Sequence, residues 1–341
     1  MVIAVDAMGG DNAPSEVVKG AVKAVNETPN LEVILVGNQA VIEKELAACS
    51  KQEQSKIQIE HTNEFITMDD HPSEIVRGKR KSSMHIGLKL VKGGKAAGFF
   101  TAGNSGAAMA VSMVELGLLE GVARPAIGTI LPCSNERGFF FMLDVGANVD
   151  CRPEHLVTFA IMGSAYAKKV LHIDNPTVGL LSNGEEEGKG DMLTKAVYPI
   201  LKKTDVIKFT GNVEGKALFK GEADVVVCDG FAGNIALKVS QSVAKYITSM
   251  LKQELLSSTV SKIGALLSKK AYNNLKKKTD SAQYGGAPLL GVNGICVIGH
   301  GSSNDTAVAN GIRVAMNAAE SRMNEAIVGD VKDSLASILN Y

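Results

Sequence analysis

One unit recurs along this chain: a short apolar run, a polar turn rich in Gly, Asn and Asp, and then the spacing of an amphipathic helix. It opens the sequence. Val2-Ile3-Ala4-Val5 is a run of the kind buried in parallel strands, and Asp6-Ala7-Met8-Gly9-Gly10-Asp11 ends it. Pro14 suits a first helical turn, and Val17, Val18, Ala21, Val22 and Val25 fall on one helical face. Leu31 to Val36 repeats the pattern with a helix after Gly37, and Ile57-Gln58-Ile59 adds a short strand. Ala97 to Thr101 leads into Gly103-Asn104-Ser105-Gly106 and an alanine-rich helix. Val178 to Ser182 leads into Asn183-Gly184-Glu185, and Ala223 to Cys228 into Asp229-Gly230-Phe231-Ala232-Gly233-Asn234. Gly294 to Ile298 leads into Gly299-His300-Gly301-Ser302-Ser303-Asn304 and a helix from Asp305. Such alternation predicts an α/β fold around a mostly parallel, doubly wound sheet. Ala126 to Leu131 and Gly138 to Val145 depart from it and predict a hairpin outside the parallel order. No repeat or low-complexity linker divides the chain. Residues 1–341 are therefore expected to form a single α/β unit with soft internal boundaries, carrying a helical extension over residues 239–280.

Ligands of open α/β sheets bind outside the carboxyl ends of the strands, which is where these loops should gather on one edge. Each loop presents backbone N–H groups near a helix N-terminus, a setting that suits an oxyanion or phosphate. Gly103 to Gly106 and Gly299 to Ser303 are the best cradles, because their glycines allow close approach while Asn104, Ser105, Ser302 and Ser303 add polar side chains. A single loop of this kind is ordinarily a helix cap; several on one edge point to a shared anion pocket. The sequence lacks GxxxxGK[ST], and no GxGxxG follows the first strand, so neither a P-loop nor a standard dinucleotide fold is indicated. Among the histidines, His300 lies between glycines at a strand end, where it can bind or shuttle a proton; the others read as structural or surface residues. Asp6, Asp11, Asp144 and Asp229 also close strands and can orient neighbours, but no ligand spacing supports a metal. Cys49, Cys133, Cys151, Cys228 and Cys296 are odd in number and widely spaced, which argues against disulfides and zinc. Lys+Arg and Asp+Glu are both 36, so a general nucleic-acid coat is not expected. No run is long and apolar enough to span a membrane, which points to the cytoplasm.

Taken together, the motifs resemble a known family. Val5-Asp6-Ala7-Met8-Gly9-Gly10-Asp11, Thr101 to Ala107 and Leu143-Asp144-Val145-Gly146-Ala147-Asn148 are similar to signatures of the bacterial phosphate acyltransferases, the PlsX family. Ser182 to Gly190, Gly211 to Gly215, Asp229 to Asn234 and Gly299 to Ser303 extend the resemblance over nearly the whole chain. It implies transfer of a fatty acyl group from the thioester of acyl carrier protein to inorganic phosphate, giving acyl phosphate for phospholipid synthesis, with no cofactor. It also implies a homodimer, the fold of phosphotransacetylases and isocitrate/isopropylmalate dehydrogenases with a smaller inserted or helical dimerisation region, and hand-over to a membrane glycerol-3-phosphate acyltransferase. On this resemblance Asn104 and Ser105, with Gly103 and Gly106, are expected to hold phosphate. Asn183 and Asn234 would orient the carbonyl or the pantetheine arm, and His300 would assist the oxyanion or the leaving thiolate. Asp6, Gly9, Gly10, Asp11, Asp144, Asn148, Asp229, Gly230, Gly301, Ser302 and Ser303 complete the expected substrate loops.

Two segments read as partner surfaces. Arg77, Lys79, Arg80 and Lys81 form a basic cluster suited to docking an acidic carrier protein or to reaching the phosphate. Val239, Val243, Ile247 and Met250 make a stripe at helical spacing, of the kind that packs into a core or a dimer. Leu255, Leu256, Val260, Ile263, Leu266 and Leu267 follow, and then Lys269, Lys270, Lys276, Lys277 and Lys278, a combination that suits an anionic membrane surface at the inner face of the cell membrane. The competing readings are a coenzyme A-dependent phosphotransacetylase, which would use similar loops, and a non-catalytic membrane-attached scaffold for lipid-synthesis enzymes.

Overall fold

A computed structural model describes residues 1–272 and 281–339. Its strands are β1 (Val2–Asp6), β2 (Glu32–Gly37), β3 (Ile57–His61), β4 (Gly98–Thr101), β5 (Ala126–Pro132), β6 (Phe139–Leu143), β7 (Thr177–Ser182), β8 (Lys208–Glu214), β9 (Val225–Val227), β10 (Ala287–Leu290) and β11 (Cys296–Ile298). Among the described residues they form an 11-stranded sheet in the order β3-β2-β1-β4-β11-β10-β5-β6-β9-β7-β8. The α/β reading holds: the first wing, β3 to β11, is parallel throughout, and so is the second, β6 to β8. Ile3, Ala4, Val5, Val225 and Val227 have no exposed surface, as expected of parallel strands covered on both faces.

The predicted hairpin is present as β5 and β6, but in the middle of the sheet rather than outside its order. The pairs β11–β10, β10–β5 and β5–β6 are all antiparallel. Direction therefore reverses at each step, and the second wing runs opposite to the first. This corrects the expectation of one shared loop edge: the carboxyl ends of the wings lie at opposite edges of the sheet. Local patterning identifies strand-turn-helix units, whereas direction depends on pairing between β10 and β5, far apart in sequence. Both wings contribute to one core, in which Phe100, Phe141, Phe159, Tyr166 and Ile312 are buried. Phe141 stacks on Tyr166 with ring centroids 4.5 Å apart, and burying each such ring is worth about 1.5–3 kcal/mol.

The helix Gly230–Leu255 departs from this economy. Within it only Gly230 and Gly233 are buried, and the following helix, Thr259–Leu267, buries none of its residues. Val239, Val243, Ile247 and Met250 are exposed, as are Leu256, Val260, Ile263, Leu266 and Leu267; Leu255 is half-buried. The apolar stripe is thus not covered by the described residues of its own chain. Lys276, Lys277 and Lys278 lie outside the described residues.

Candidate active site

The first wing gathers the loops after β1, β4 and β11. Asp6 closes β1 with its carboxylate buried. Thr101, the last residue of β4, donates its hydroxyl to Asp6 Oδ2 at 2.9 Å, and Gly103 N–H donates to Thr101 Oγ1 at 3.0 Å. Met8 N–H donates to Asp6 Oδ1 at 3.2 Å. Burial pushes the Asp6 carboxyl above its ordinary 3.8, against the opposing pull of the hydrogen bonds from the Thr101 hydroxyl and the Met8 amide. Gly9 is required by this packing: an added Cβ would lie 2.6 Å from Asp6 Oδ2 and 3.0 Å from Gly103 N. Gly10, at φ +108°, turns the chain so that Asp11 N–H donates to Gly301 O at 2.8 Å, fastening the first loop to the last.

Asn104 caps the helix Ser105–Glu115, its Oδ1 accepting from Ala107 N–H at 3.0 Å. Its Nδ2 donates to Met68 O and Asp70 O, both at 3.1 Å. The Asn104 amide is thus occupied in shaping the loop, while Ser105 and Gly106 are exposed beside it. Asp70 is also where the predicted basic segment joins the site. Lys79 donates to Asp70 Oδ2 at 2.5 Å, and Lys79, with the Thr67 amide, holds that carboxyl below its usual range. Arg77, Arg80 and Lys81 are exposed and form no ion pair with a described residue.

In the last loop, buried Ser303 fixes the turn by donating to His300 O at 2.6 Å. Ser302 N–H donates to His300 Nδ1 at 3.2 Å, and Ser302 Oγ lies 2.8 Å from the same nitrogen. A backbone amide cannot accept, so the neutral ring carries its proton on Nε2. Partial desolvation of its exposed ring holds His300 below its ordinary 6.5, reinforced by the charges of Lys238 and Lys245 and opposed by Asp11. Asn304 caps the helix Asp305–Glu320 through Ala307 N–H at 2.9 Å. Two helix N-termini, exposed Ser105 and Ser302, and the His300 Nε2–H therefore form a surface suited to binding an oxyanion.

The second wing builds a different object. Asp144 is buried at the end of β6, and its Oδ1 accepts from the Ile127, Gly146 and Ala147 amides at 3.0, 3.2 and 3.0 Å. Its Oδ2 accepts from Asn148 N at 2.7 Å and Asn148 Nδ2 at 2.9 Å, while Nδ2 also reaches Pro125 O at 2.7 Å. Asp229 caps the Gly230–Leu255 helix through Ala232 N–H, and Gly230 N–H donates to Asn148 O. Gly233 lies so close to Asp144 O that no Cβ fits between them. Asn234 is exposed next to Gly146. Asn183 is in a further loop of this wing, where its Oδ1 accepts from Gly190 N–H at 2.8 Å. Burial raises the thiol of Cys228 and pushes Cys151 up to about 11, so neither is a ready thiolate.

The structure thus unites Asp6, Gly9, Gly10, Asp11, Gly103, Asn104, Ser105, Gly106, His300, Gly301, Ser302 and Ser303, and sets Asp144, Asn148, Asp229, Gly230, Asn183 and Asn234 with the other wing. Sequence reading missed Thr101, Asp70, Lys238 and Lys245. Thr101 alone carried a local signal, as a hydroxyl closing a strand before a glycine loop. Among the described residues no group of 3 or more His, Cys, Asp or Glu side chains is placed to hold a metal ion. No helix among them is long and apolar enough to cross a membrane.

Comparison with known proteins locates this arrangement. A family model described as "Fatty acid synthesis protein" matches residues 1–326. A phosphate acyltransferase of Acidobacterium capsulatum is 49% identical over 328 residues, covering 96% of both chains. One from Pelotomaculum thermopropionicum is 47% identical over 338 residues, covering 99% of this chain and 96% of its own. In fold, the chain is similar to a phosphotransacetylase from Streptococcus pyogenes, with TM-score 0.65, 18% identity and 94% of each chain covered. EutD phosphotransacetylase from Staphylococcus aureus gives 0.61 at 16% identity, again with 94% of each chain covered.

Proposed function

The chain belongs to the fatty acid synthesis protein family, and on that premise we propose that it transfers a fatty acyl group from the thioester of acyl carrier protein to inorganic phosphate. The observation that carries this reading is the fastening of the loops after β1, β4 and β11 into one surface of N–H donors around His300. Phosphate is already an oxyanion near neutral pH, so the site needs to position it rather than to activate it. A phosphate oxygen attacks the thioester carbonyl carbon, the C–O bond forms, and the carbonyl becomes a tetrahedral oxyanion. Collapse breaks the C–S bond, leaving acyl phosphate and a carrier thiolate that takes up a proton. His300, neutral with Nε2–H available, suits a hydrogen bond to that oxyanion and to the departing thiolate, which takes its proton from solvent or from the attacking phosphate. The raised thiols of Cys151 and Cys228 fit a direct transfer without an acyl-enzyme intermediate.

Within this reading Ser105, Gly103, Gly106, Ser302 and Gly301 bind phosphate, and Asn104 shapes their loop through its cap and its bonds to Met68 and Asp70. Asn183 and Asn234 hold the pantetheine arm or the carbonyl only if the substrate spans both wings. Exposed Arg77, Arg80 and Lys81 receive the acidic carrier protein, with Lys79 tied to Asp70. The uncovered stripe on Gly230–Leu255 suits a homodimer, and the leucines of Thr259–Leu267 suit peripheral contact with an anionic membrane, beside a membrane glycerol-3-phosphate acyltransferase.

The test is phosphate-dependent release of thiol from palmitoyl-carrier protein, with palmitoyl-coenzyme A in parallel. Release from the carrier with formation of acyl phosphate supports the reading; reaction of the coenzyme A ester alone replaces it with a phosphotransacetylase. Inactivity of folded protein towards both favours the scaffold. Flotation with anionic vesicles, lost in Leu266→Glu, checks the membrane contact, and failure of the wild type to float removes it.

A further inference from the structure

After β3, residues 62–70 cross the carboxyl edge of the first wing from its outermost strand towards β11. The crossing is fastened at each stage. At the end of β2, Thr62 N–H donates to Gly37 O at 2.9 Å and Asn38 Nδ2 donates to Asn63 Oδ1 at 2.8 Å. Ile66 is buried in the core beneath. At the end of β4, Asn104 Nδ2 donates to Met68 O and Asp70 O. Lys79 Nζ donates to Phe65 O at 3.2 Å as well as to Asp70 Oδ2, and Thr67 N–H donates to that same carboxylate oxygen at 2.7 Å. The Met68 side chain then reaches the last loop: a Cβ built on Gly301 would lie 3.1 Å from Met68 Cε. Gly301 directly follows His300, so the Met68 thioether packs one residue from the ring that faces the reacting carbonyl. The other loops of this edge present Gly, Asn, Ser and Asp. Among the described residues, Phe65 and Met68 are the large hydrophobic side chains exposed on these loops, and Met68, 46% exposed, is the one packed over Gly301 with half its surface free.

We infer that Met68 is a specificity-determining residue of the acyl subsite: its side chain packs against the carbons beyond the α-carbon of the fatty acyl chain as they leave the carbonyl held at His300. The assignment rests on the acyl-transfer reading above and adds the part of the substrate that the glycine loops do not address. Amides and hydroxyls hold phosphate and an oxyanion, but an alkyl chain gains nothing from them and is driven onto apolar surface. The unbranched, polarizable thioether of methionine adapts to such a chain. Because the backbone beneath it is fastened to the loops after β2 and β4 and to Lys79, this apolar wall is in place before the substrate arrives.

The test is the ratio of kcat/KM for palmitoyl- over acetyl-carrier protein, measured on the full chain at saturating phosphate. The acetyl group has no carbon beyond the α-carbon and so does not reach Met68. In Met68→Ala the ratio is expected to fall about tenfold, the effect of losing one well-placed apolar side chain. Met68→Gln, similar in length but polar, should lower it as well, and Met68→Leu should restore it. A merely structural role would slow both esters equally and leave the ratio in place. An unchanged ratio in Met68→Ala and Met68→Gln, or a ratio as low in Met68→Leu as in Met68→Gln, overturns the assignment. Should the coenzyme A esters alone react, the same ratio taken on them decides the assignment separately from the choice of carrier. Inactivity of the wild type towards every ester sinks the acyl-transfer reading, and this assignment with it.

Discussion

The aspartates that close β1 and β6 begin alike and end differently. Each is the buried last polar group of a strand-and-glycine-loop unit. In the second wing Asp144 is enclosed by the amides of Ile127, Gly146, Ala147 and Asn148 and by the Asn148 side chain. Such a carboxylate has no lone pair to spare, and the loop it organises is a fastening for the Gly230–Leu255 helix. In the first wing Asp6 holds one hydroxyl and adjacent amides, and around it Ser105, Asp11, His300 and Ser302 stay exposed. Motifs of equal prominence in a sequence can thus differ in kind: one spends its polar groups on architecture, the other leaves them open to a ligand.

The largest effect should come from breaking the fastening. Asp144→Ala strips its partner amides of their acceptor in a buried site, which should cost roughly 3–5 kcal/mol of stability. Denaturant unfolding should show a lower midpoint, with activity lost alongside the fold. If Asp144→Ala keeps the wild-type midpoint but loses turnover, the contrast fails and the second wing holds reacting groups of its own. His300→Ala should do the reverse: turnover falls on the order of 10²-fold with the unfolding midpoint unchanged. Protonation at Nδ1 would break the bond from the Ser302 amide that orients the ring, so the His300 limb of the wild-type pH–rate profile should lie below pH 6.5, where its lowered pKa falls. That acid limb should vanish in His300→Ala; its persistence would assign it to another group.

Those experiments separate what a sequence makes legible from what it does not. The loops of β1, β4 and β11 were readable because each is a contiguous pattern of apolar run, glycine and cap. The strand directions were not, because β10, a short Ala-Pro-Leu-Leu run, carries no periodicity, yet its antiparallel pairs with β11 and β5 separate the two loop groups. Edge strand β8 was missed for a related reason: Lys208–Glu214 is largely polar, with Lys208 and Thr210 exposed. Within the site, Asp6 and Thr101 are 95 residues apart, and only the parallel pairing of β1 with β4 brings a carboxylate and a hydroxyl together.

Thr101→Val sharpens the comparison at intermediate size. It keeps the shape of the strand end but removes both the acceptor of Gly103 N–H and the donor to Asp6 Oδ2. A buried carboxylate left with the Met8 amide alone should have its pKa drawn further up, and the freed glycine loop should bind phosphate roughly tenfold more weakly. A raised phosphate KM with near-normal stability places Thr101 with the open site. Equal loss of stability and activity would make this wing a fastening like the other.

Ser302→Ala should have the smallest effect, and its smallness is informative. The side-chain hydroxyl lies 2.8 Å from His300 Nδ1, but the Ser302 amide also donates to that nitrogen at 3.2 Å, and this bond survives the substitution. The ring therefore keeps its tautomer, with Nε2–H still offered to the reaction, and turnover should drop only about two- to fivefold. Parallel assays of Ser302→Ala and His300→Ala measure how much of the loop's contribution comes from the backbone. A loss in Ser302→Ala as large as that in His300→Ala would mean that the hydroxyl itself touches the substrate, and that the donor surface of the first wing owes more to its side chains than to its amides.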